Sequence, residues 1–277
     1  MDVTIIFTTN YTLDIPNIDK QQKTIESFYD TFKISEKLPT FIFCDEKPIS
    51  EIKGEIELFN GSKYSDYKIP GDDYINNLKN IELLKEATII KTNSLCDGYK
   101  QALSLCKTKY LFFLEHDWVF LNNITHNLTE LTDIMDKNNE INCILFNKLS
   151  NIQLDFQIFY NSKNYEIPLL LTNRQSNNPN LLRVDHAKKI RNPIIKSDGC
   201  SVHPGLNHHY CINNMKVPSY CGGIECELCD LCGNDENKVK LLGTYLYGEL
   251  NKKPTIIHSD GCNRTKLNKE SYIERNK

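Results

Sequence analysis

The chain has 277 residues, 40% of them hydrophobic and 25% charged, with a formal net charge of −3. That is the composition of a globular protein long enough to bury a real core, as one large or two small domains. The charge gives no electrostatic ground for a nucleic-acid partner, and no apolar run approaches the roughly 20 residues of a membrane span. The opening Met1-Asp2-Val3-Thr4 lacks the basic-then-apolar pattern of a signal peptide. The expectation is a cytoplasmic protein whose 11 cysteines are thiols or metal ligands rather than disulfides. The sequons at Asn123 and Asn127 are then expected to go unglycosylated.

Residues 3–7 predict a first strand, followed by a polar loop, Thr8-Thr9-Asn10-Tyr11-Thr12. Ile25, Phe28, Tyr29 and Phe32 fall on one face of a helix over 22–33. Residues 40–44 predict a second strand ending at Asp45. Residues 72–86 open with two aspartates, as suits the positive end of a helix, and carry Ile75, Leu78 and Ile81 on one side. A strand at 87–91, a helix at about 95–106 and a strand from Tyr110 follow, then a helix through Leu128, Leu131, Ile134 and Met135 and a strand at 143–146. Strands alternating with helices imply a parallel sheet with right-handed crossovers.

After about residue 150 the rhythm changes. Residues 154–160 and 167–172 predict strands without intervening helices, 193–223 are punctuated by Gly and Pro, and 241–250 and 255–258 are apolar again. There is no internal repeat and no linker. The predicted fold class is therefore α/β: a mostly parallel sheet flanked by helices, with a mixed or irregular C-terminal extension.

The run Tyr110-Leu111-Phe112-Phe113-Leu114 reads as a buried parallel strand that ends in Glu115-His116-Asp117-Trp118. Alternation aims Glu115 and Asp117 the same way as the strand leaves the sheet. Ligands of open α/β sheets bind at that carboxyl edge, and two carboxylates there suit a hard divalent cation carrying a phosphate ligand. Trp118, the only tryptophan, suits either stacking on a sugar or burial. Asp45, at the end of the second strand, suits a strand-end cap. Asp97-Gly98 marks a helix start of the kind that receives phosphates. No Walker-type loop and no G-x-G-x-x-G is present, which argues against ATPase and dehydrogenase readings.

The first strand with its polar end, the Phe43-Cys44-Asp45 strand end, the segment from Asn93 to Ala102 and Glu115-His116-Asp117-Trp118 together resemble a GT-A (Rossmann-like) glycosyltransferase of the broad family 2-like group. The resemblance implies one GT-A-like domain over 1–277, with a nucleotide-sugar-binding half at 1–150 and an acceptor-binding and catalytic half at 151–277. It implies nucleotide contacts at Thr8, Thr9, Tyr11, Asp45, Asp97 and Glu115, the last replacing the first aspartate of the family's "DxD" motif. It implies a manganese or magnesium site at Asp117 and His258, where Ile257-His258-Ser259-Asp260-Gly261 matches the family's C-terminal histidine. Gly222-Gly223-Ile224-Glu225-Cys226-Glu227 resembles the family's "xED" segment, so the catalytic base is Glu225 or Glu227. Asn177 to Arg183 resembles a segment near the acceptor, which assigns Asn177 and Asn178, with Trp118, to acceptor binding.

The activity so implied is metal-dependent, inverting transfer of a sugar from a nucleotide-diphosphate sugar to a hydroxyl acceptor such as a glycan. Two other readings stand beside it. A sugar nucleotidyltransferase shares the α/β plan but wants a Gly-rich loop and basic residues near the first strand, which Thr8-Thr9-Asn10-Tyr11 does not offer. A non-catalytic zinc-stabilised module would use Cys221, Cys226, Cys229 and Cys232, whose two C-x-x-C steps share Cys229.

Overall fold

Seven consecutive buried residues make β1 (Val3–Thr9) an interior strand, covered on both faces. In this computed structural model the described residues are 1–9, 18–45, 72–92, 95–148, 150–151, 159–163, 165–195, 224, 228 and 231–258. β1 is parallel to β2 (Thr40–Asp45) on one side and to β4 (Tyr110–Glu115) on the other, and β2 is parallel to β3 (Thr88–Thr92). The crossovers carry α1 (Asp19–Thr31), α2 (Asp72–Asn80) and α3 (Leu95–Leu105). The ladder includes Thr8 and Thr9, paired with Glu115 and Cys44, so the strand runs two residues beyond the predicted one.

Beyond β4 the sheet becomes mixed. Its order is β3-β2-β1-β4-β9-β6-β10-β8-β7, adding β6 (Cys143–Leu145), β7 (Phe159–Lys163), β8 (Leu169–Thr172), β9 (Asn180–Arg183) and β10 (Thr244–Tyr247). β9 is antiparallel to both β4 and β6 and fills the space between them. The segment expected near the acceptor thus contributes a central strand. Leu181 and Leu182 are fully buried, one on each face, but four residues are too few to show a period in the sequence.

Two aromatic layers hold the helices to the sheet. On one face Phe28 and Phe32 of α1 meet Phe112, Phe120 and Phe146, with the Phe28 and Phe112 centroids 4.5 Å apart. On the other, Tyr99 of α3 meets Phe113 at 5.9 Å. Each such pair contributes about 0.5–1.5 kcal/mol beyond its buried area. α4 (Leu128–Lys137) begins with a capping box in which the Asn127 side chain accepts from Glu130 N–H and the Glu130 carboxylate accepts from Asn127 N–H. α5 (Val184–His186) runs into a π turn over Ala187–Arg191, closed by Asn192 N–H to the Ala187 carbonyl. α6 (Glu236–Leu242) stops at Gly243, whose φ of 55° starts β10. Among the described residues no helix is long and apolar enough to cross a membrane.

Candidate functional site

β4 leaves the sheet at its carboxyl edge through the turn His116-Asp117. Two bonds fix that turn: His116 N–H donates to the Thr8 carbonyl at 3.0 Å, and the Thr24 hydroxyl of α1 donates to the His116 carbonyl at 2.7 Å. The chain reverses into β5 (Trp118–Phe120), which pairs antiparallel with β11 (Ile256–His258) in a separate two-stranded sheet. His258 lies opposite Trp118 in that register. β11 is delivered by a polar node at the end of β6. Thr255 N–H donates to the Asn147 carbonyl at 2.9 Å, and Asn147 N–H donates to the Thr255 hydroxyl at 3.0 Å. The Asn147 side chain accepts from Arg174 Nη1 at 2.6 Å and donates to Asn151 Oδ1 at 3.0 Å. The Asn123 amide donates to the Pro254 carbonyl at 2.7 Å.

These constraints bring His258 Nε2 within 3.1 Å of Asp117 Oδ2. The aspartate side chain is 13% exposed and the imidazole 35%. Burial pushes the Asp117 carboxyl up, but the His258 hydrogen bond and the charges of His116 and His258 outweigh it. The carboxyl is held below its ordinary value and is ionised at neutral pH. A carboxylate oxygen beside an imidazole nitrogen is a donor set that suits a divalent ion such as manganese, once the Nε2 proton is displaced. Glu115 Oε2 accepts from Trp118 Nε1 at 3.2 Å. Among the described residues no three His, Cys, Asp or Glu side chains converge on one point. Among the described residues, Asp117 and His258 are the two side chains at this edge whose donors suit such an ion.

Trp118 is the hub of the cluster. It is 3% exposed, so it has no free face on which a sugar could stack, and burial is the role it takes. Besides binding Glu115, its ring meets the His258 ring edge-on at 4.4 Å and carries Lys148 Nζ at 5.6 Å. Lys148 is exposed, three residues past β6, and β6 is parallel to β4, so this cation stands at the same edge. The sequence reading missed it, although the carboxyl-edge argument that singled out Asp117 applies equally to β6.

The remaining expected residues divide. Thr8 and Thr9 are buried strand residues rather than loop residues; the Thr9 hydroxyl bonds the Tyr74 phenol, which also receives Gln21 Nε2–H at 2.9 Å. Asp97 lies in the first turn of α3 and accepts from Gln101 Nε2 at 3.1 Å. Asn178 is buried and its amide donates to the Phe146 carbonyl at 3.1 Å. Asn177 lines a small cavity on the α3 side of the sheet. Asp45 ends β2 opposite Thr92. The Asp45 side chain, Tyr11, Glu225, Glu227, Cys221, Cys226 and Cys229 lie outside the described residues. Ile224 and Leu228, which flank the two glutamates, are buried against that same cavity. Cys232 is a buried thiol, pushed up to about 11 by burial and approached by Gln175 Nε2 at 3.8 Å.

No protein-family model matches this sequence, and no curated protein matches it. In fold, the chain is similar to S. aureus TarS 1-349, with a TM-score of 0.51 and 10% identity over 94% of this chain; it spans 60% of the TarS chain. It is also similar to UDP-glucose pyrophosphorylase solved with UDP-glucose, with a TM-score of 0.49 and 11% identity over 99% of this chain and 100% of that one. For the galactosyltransferase LgtC, solved with donor and acceptor sugar analogs, the TM-score is 0.43 at 10% identity, covering 97% and 96%. The fold is GT-A-like: a large, mostly parallel sheet flanked by helices.

Proposed function

We propose that the chain is a metal-dependent glycosyltransferase that moves a sugar from a nucleotide-diphosphate sugar to a hydroxyl acceptor with inversion. The observation that carries this reading is the meeting of Asp117 with His258 at the carboxyl edge of β4, in a GT-A-like fold. When bound there, manganese or magnesium supplies positive charge to the leaving diphosphate. Asp117 and His258 are the residues that would hold it. Trp118 orients Glu115 toward the nucleotide, and Lys148 adds a second positive charge at the same edge. In the inverting reaction Glu225 or Glu227 takes the acceptor's proton as the hydroxyl attacks.

The test is thermal unfolding with UDP, GDP, CDP and TDP, each with and without manganese. A rise for one diphosphate that requires the metal is expected; no rise for any would overturn the reading. A nucleotidyltransferase shares the fold, and it is separated by its product, pyrophosphate released from a nucleoside triphosphate and a sugar phosphate.

A further inference from the structure

On the α3 side of the sheet, beside Phe113, three polar side chains from separate elements are buried around one cavity. Tyr99 of α3 is 3% exposed, Asn180 of β9 6%, and Arg191 at the end of the π turn 5%. Each has an atom with no hydrogen-bond partner among the described residues: Tyr99 Oη, Asn180 Oδ1 and Arg191 Nε. A buried polar atom left so costs about 1–3 kcal/mol, and three around one space call for a common occupant. π turns recur at functional sites.

The orientations are fixed. Arg191 Nη2 donates to the Thr244 hydroxyl at 2.7 Å, which holds the guanidinium plane. Asn180 Nδ2 donates to the Asn178 carbonyl at 2.7 Å, so the amide cannot turn over and Oδ1 stays an acceptor. Burial pushes the Tyr99 phenol up to about 12, so it keeps its proton and can donate. These three side chains therefore bring two donors and one acceptor to a cavity with room for one water-sized group, lined also by Ser176 and Asn177 and walled by Phe113, Ile224 and Leu228.

We infer that this cavity is a hydroxyl site. One O–H group accepts from Arg191 Nε–H and from Tyr99 O–H with its two lone pairs, and donates its proton to Asn180 Oδ1. Other occupants fail on the same inventory. An anion meets the Asn180 carbonyl oxygen, a cation meets the guanidinium, and a methyl group leaves all three atoms unpaired. Two sources have this chemistry: a resident water, and a hydroxyl of the transferred sugar. The second rests on the proposed function; the first does not.

The experiment is a crystal structure of the full chain at about 1.8 Å, alone and with UDP-glucose, together with the unfolding midpoint of Tyr99→Phe. Oxygen density within about 3.2 Å of all three atoms in the protein alone assigns a water, and Tyr99→Phe then lowers the midpoint. Density that appears only with UDP-glucose, continuous with its ring, assigns the sugar, and Tyr99→Phe then weakens UDP-glucose binding while leaving the midpoint of the free protein unlowered. An empty cavity in both crystals, or a bromide that enters on soaking, overturns the inference. So does a Tyr99→Phe protein unchanged in both midpoint and UDP-glucose affinity. None of these readings requires turnover, so failure here is distinct from failure of the glycosyltransferase assignment.

Discussion

His258 and Asp117 bond directly, Nε2 to Oδ2 at 3.1 Å, because the β5–β11 pair brings the end of the described chain back to the exit of β4. Each residue then fixes the other, and loss of either should act on the same property. Asp117→Ala is expected to abolish the manganese-dependent unfolding shift and to lower turnover about a hundredfold or more. His258→Ala should weaken apparent manganese affinity about tenfold to a hundredfold. The residues stand at strand ends, so circular dichroism should match the wild type. Normal metal dependence in both variants would remove this pair from the metal site.

Trp118→Phe keeps a ring in the same space and deletes the N–H that holds Glu115. A hydrogen bond to a charged group contributes about 1.5–3 kcal/mol, so kcat/KM should fall roughly tenfold to a hundredfold. Glu115→Ala should lose at least as much, and adding Trp118→Phe to it should cost little more, since the indole N–H then has no carboxylate to hold. Additive losses in the cycle would show that the two residues act separately.

A histidine far from this cluster should set part of the acid sensitivity. His186 Nε2–H donates to the Leu241 carbonyl at 2.8 Å, while Nδ1 is buried with no partner among the described residues. Burial, the largest influence, with the nearby Arg191, Arg183 and Lys189, holds its pKa below the ordinary 6.5. The folded state then binds fewer protons than the unfolded one, so the contribution is present above about pH 6.5 and is lost as pH falls below it. Unfolding midpoints measured from pH 8 to 5 should drop more steeply for the wild type than for His186→Gln. Parallel curves would refute the assignment.

If Glu225 is the proton acceptor, Glu225→Gln should cut turnover about a hundredfold or more with donor affinity nearly unchanged. Full turnover there with loss in Glu227→Gln moves the assignment by two residues. Activity in both points to a base elsewhere or to a retaining reaction.

Gly243 ends α6 at φ 55°, and a Cβ there would collide with the Glu140 carbonyl oxygen. Gly243→Ala should therefore destabilise by more than about 1 kcal/mol, a fall of at least about 2–4 °C in the unfolding midpoint. An unchanged midpoint would mean that the loop carrying Glu140 gives way freely.

Most of the parallel half of the sheet was legible because β1 and β4 are buried along almost their whole length and stand out as apolar runs, β4 above all, whereas edge strand β3 is largely exposed or half-buried. Asp117 was legible for the same reason, as the acid next to such a run. His258 came from family resemblance, since what holds it to Asp117 is the Asn147–Thr255 node, and no local pattern joins positions so far apart. β9 escaped because Asn and Pro precede only two leucines. The nucleotide role read for Thr9 met a competitor the sequence did not reveal, the Tyr74 phenol on another element.

The position of β9 constrains how the chain can be made. Until residues 180–183 emerge, β4 has an open edge: the backbone groups of Tyr110 to Phe113 that face β9 have no ladder. β6 has no neighbour on that side either. A nascent chain of the first 150 residues is thus a half-sheet with an apolar, hydrogen-bond-hungry border, the kind of surface that recruits other chains. Synthesis has to outrun that recruitment, and chaperone dependence should end when the antiparallel strand slots in.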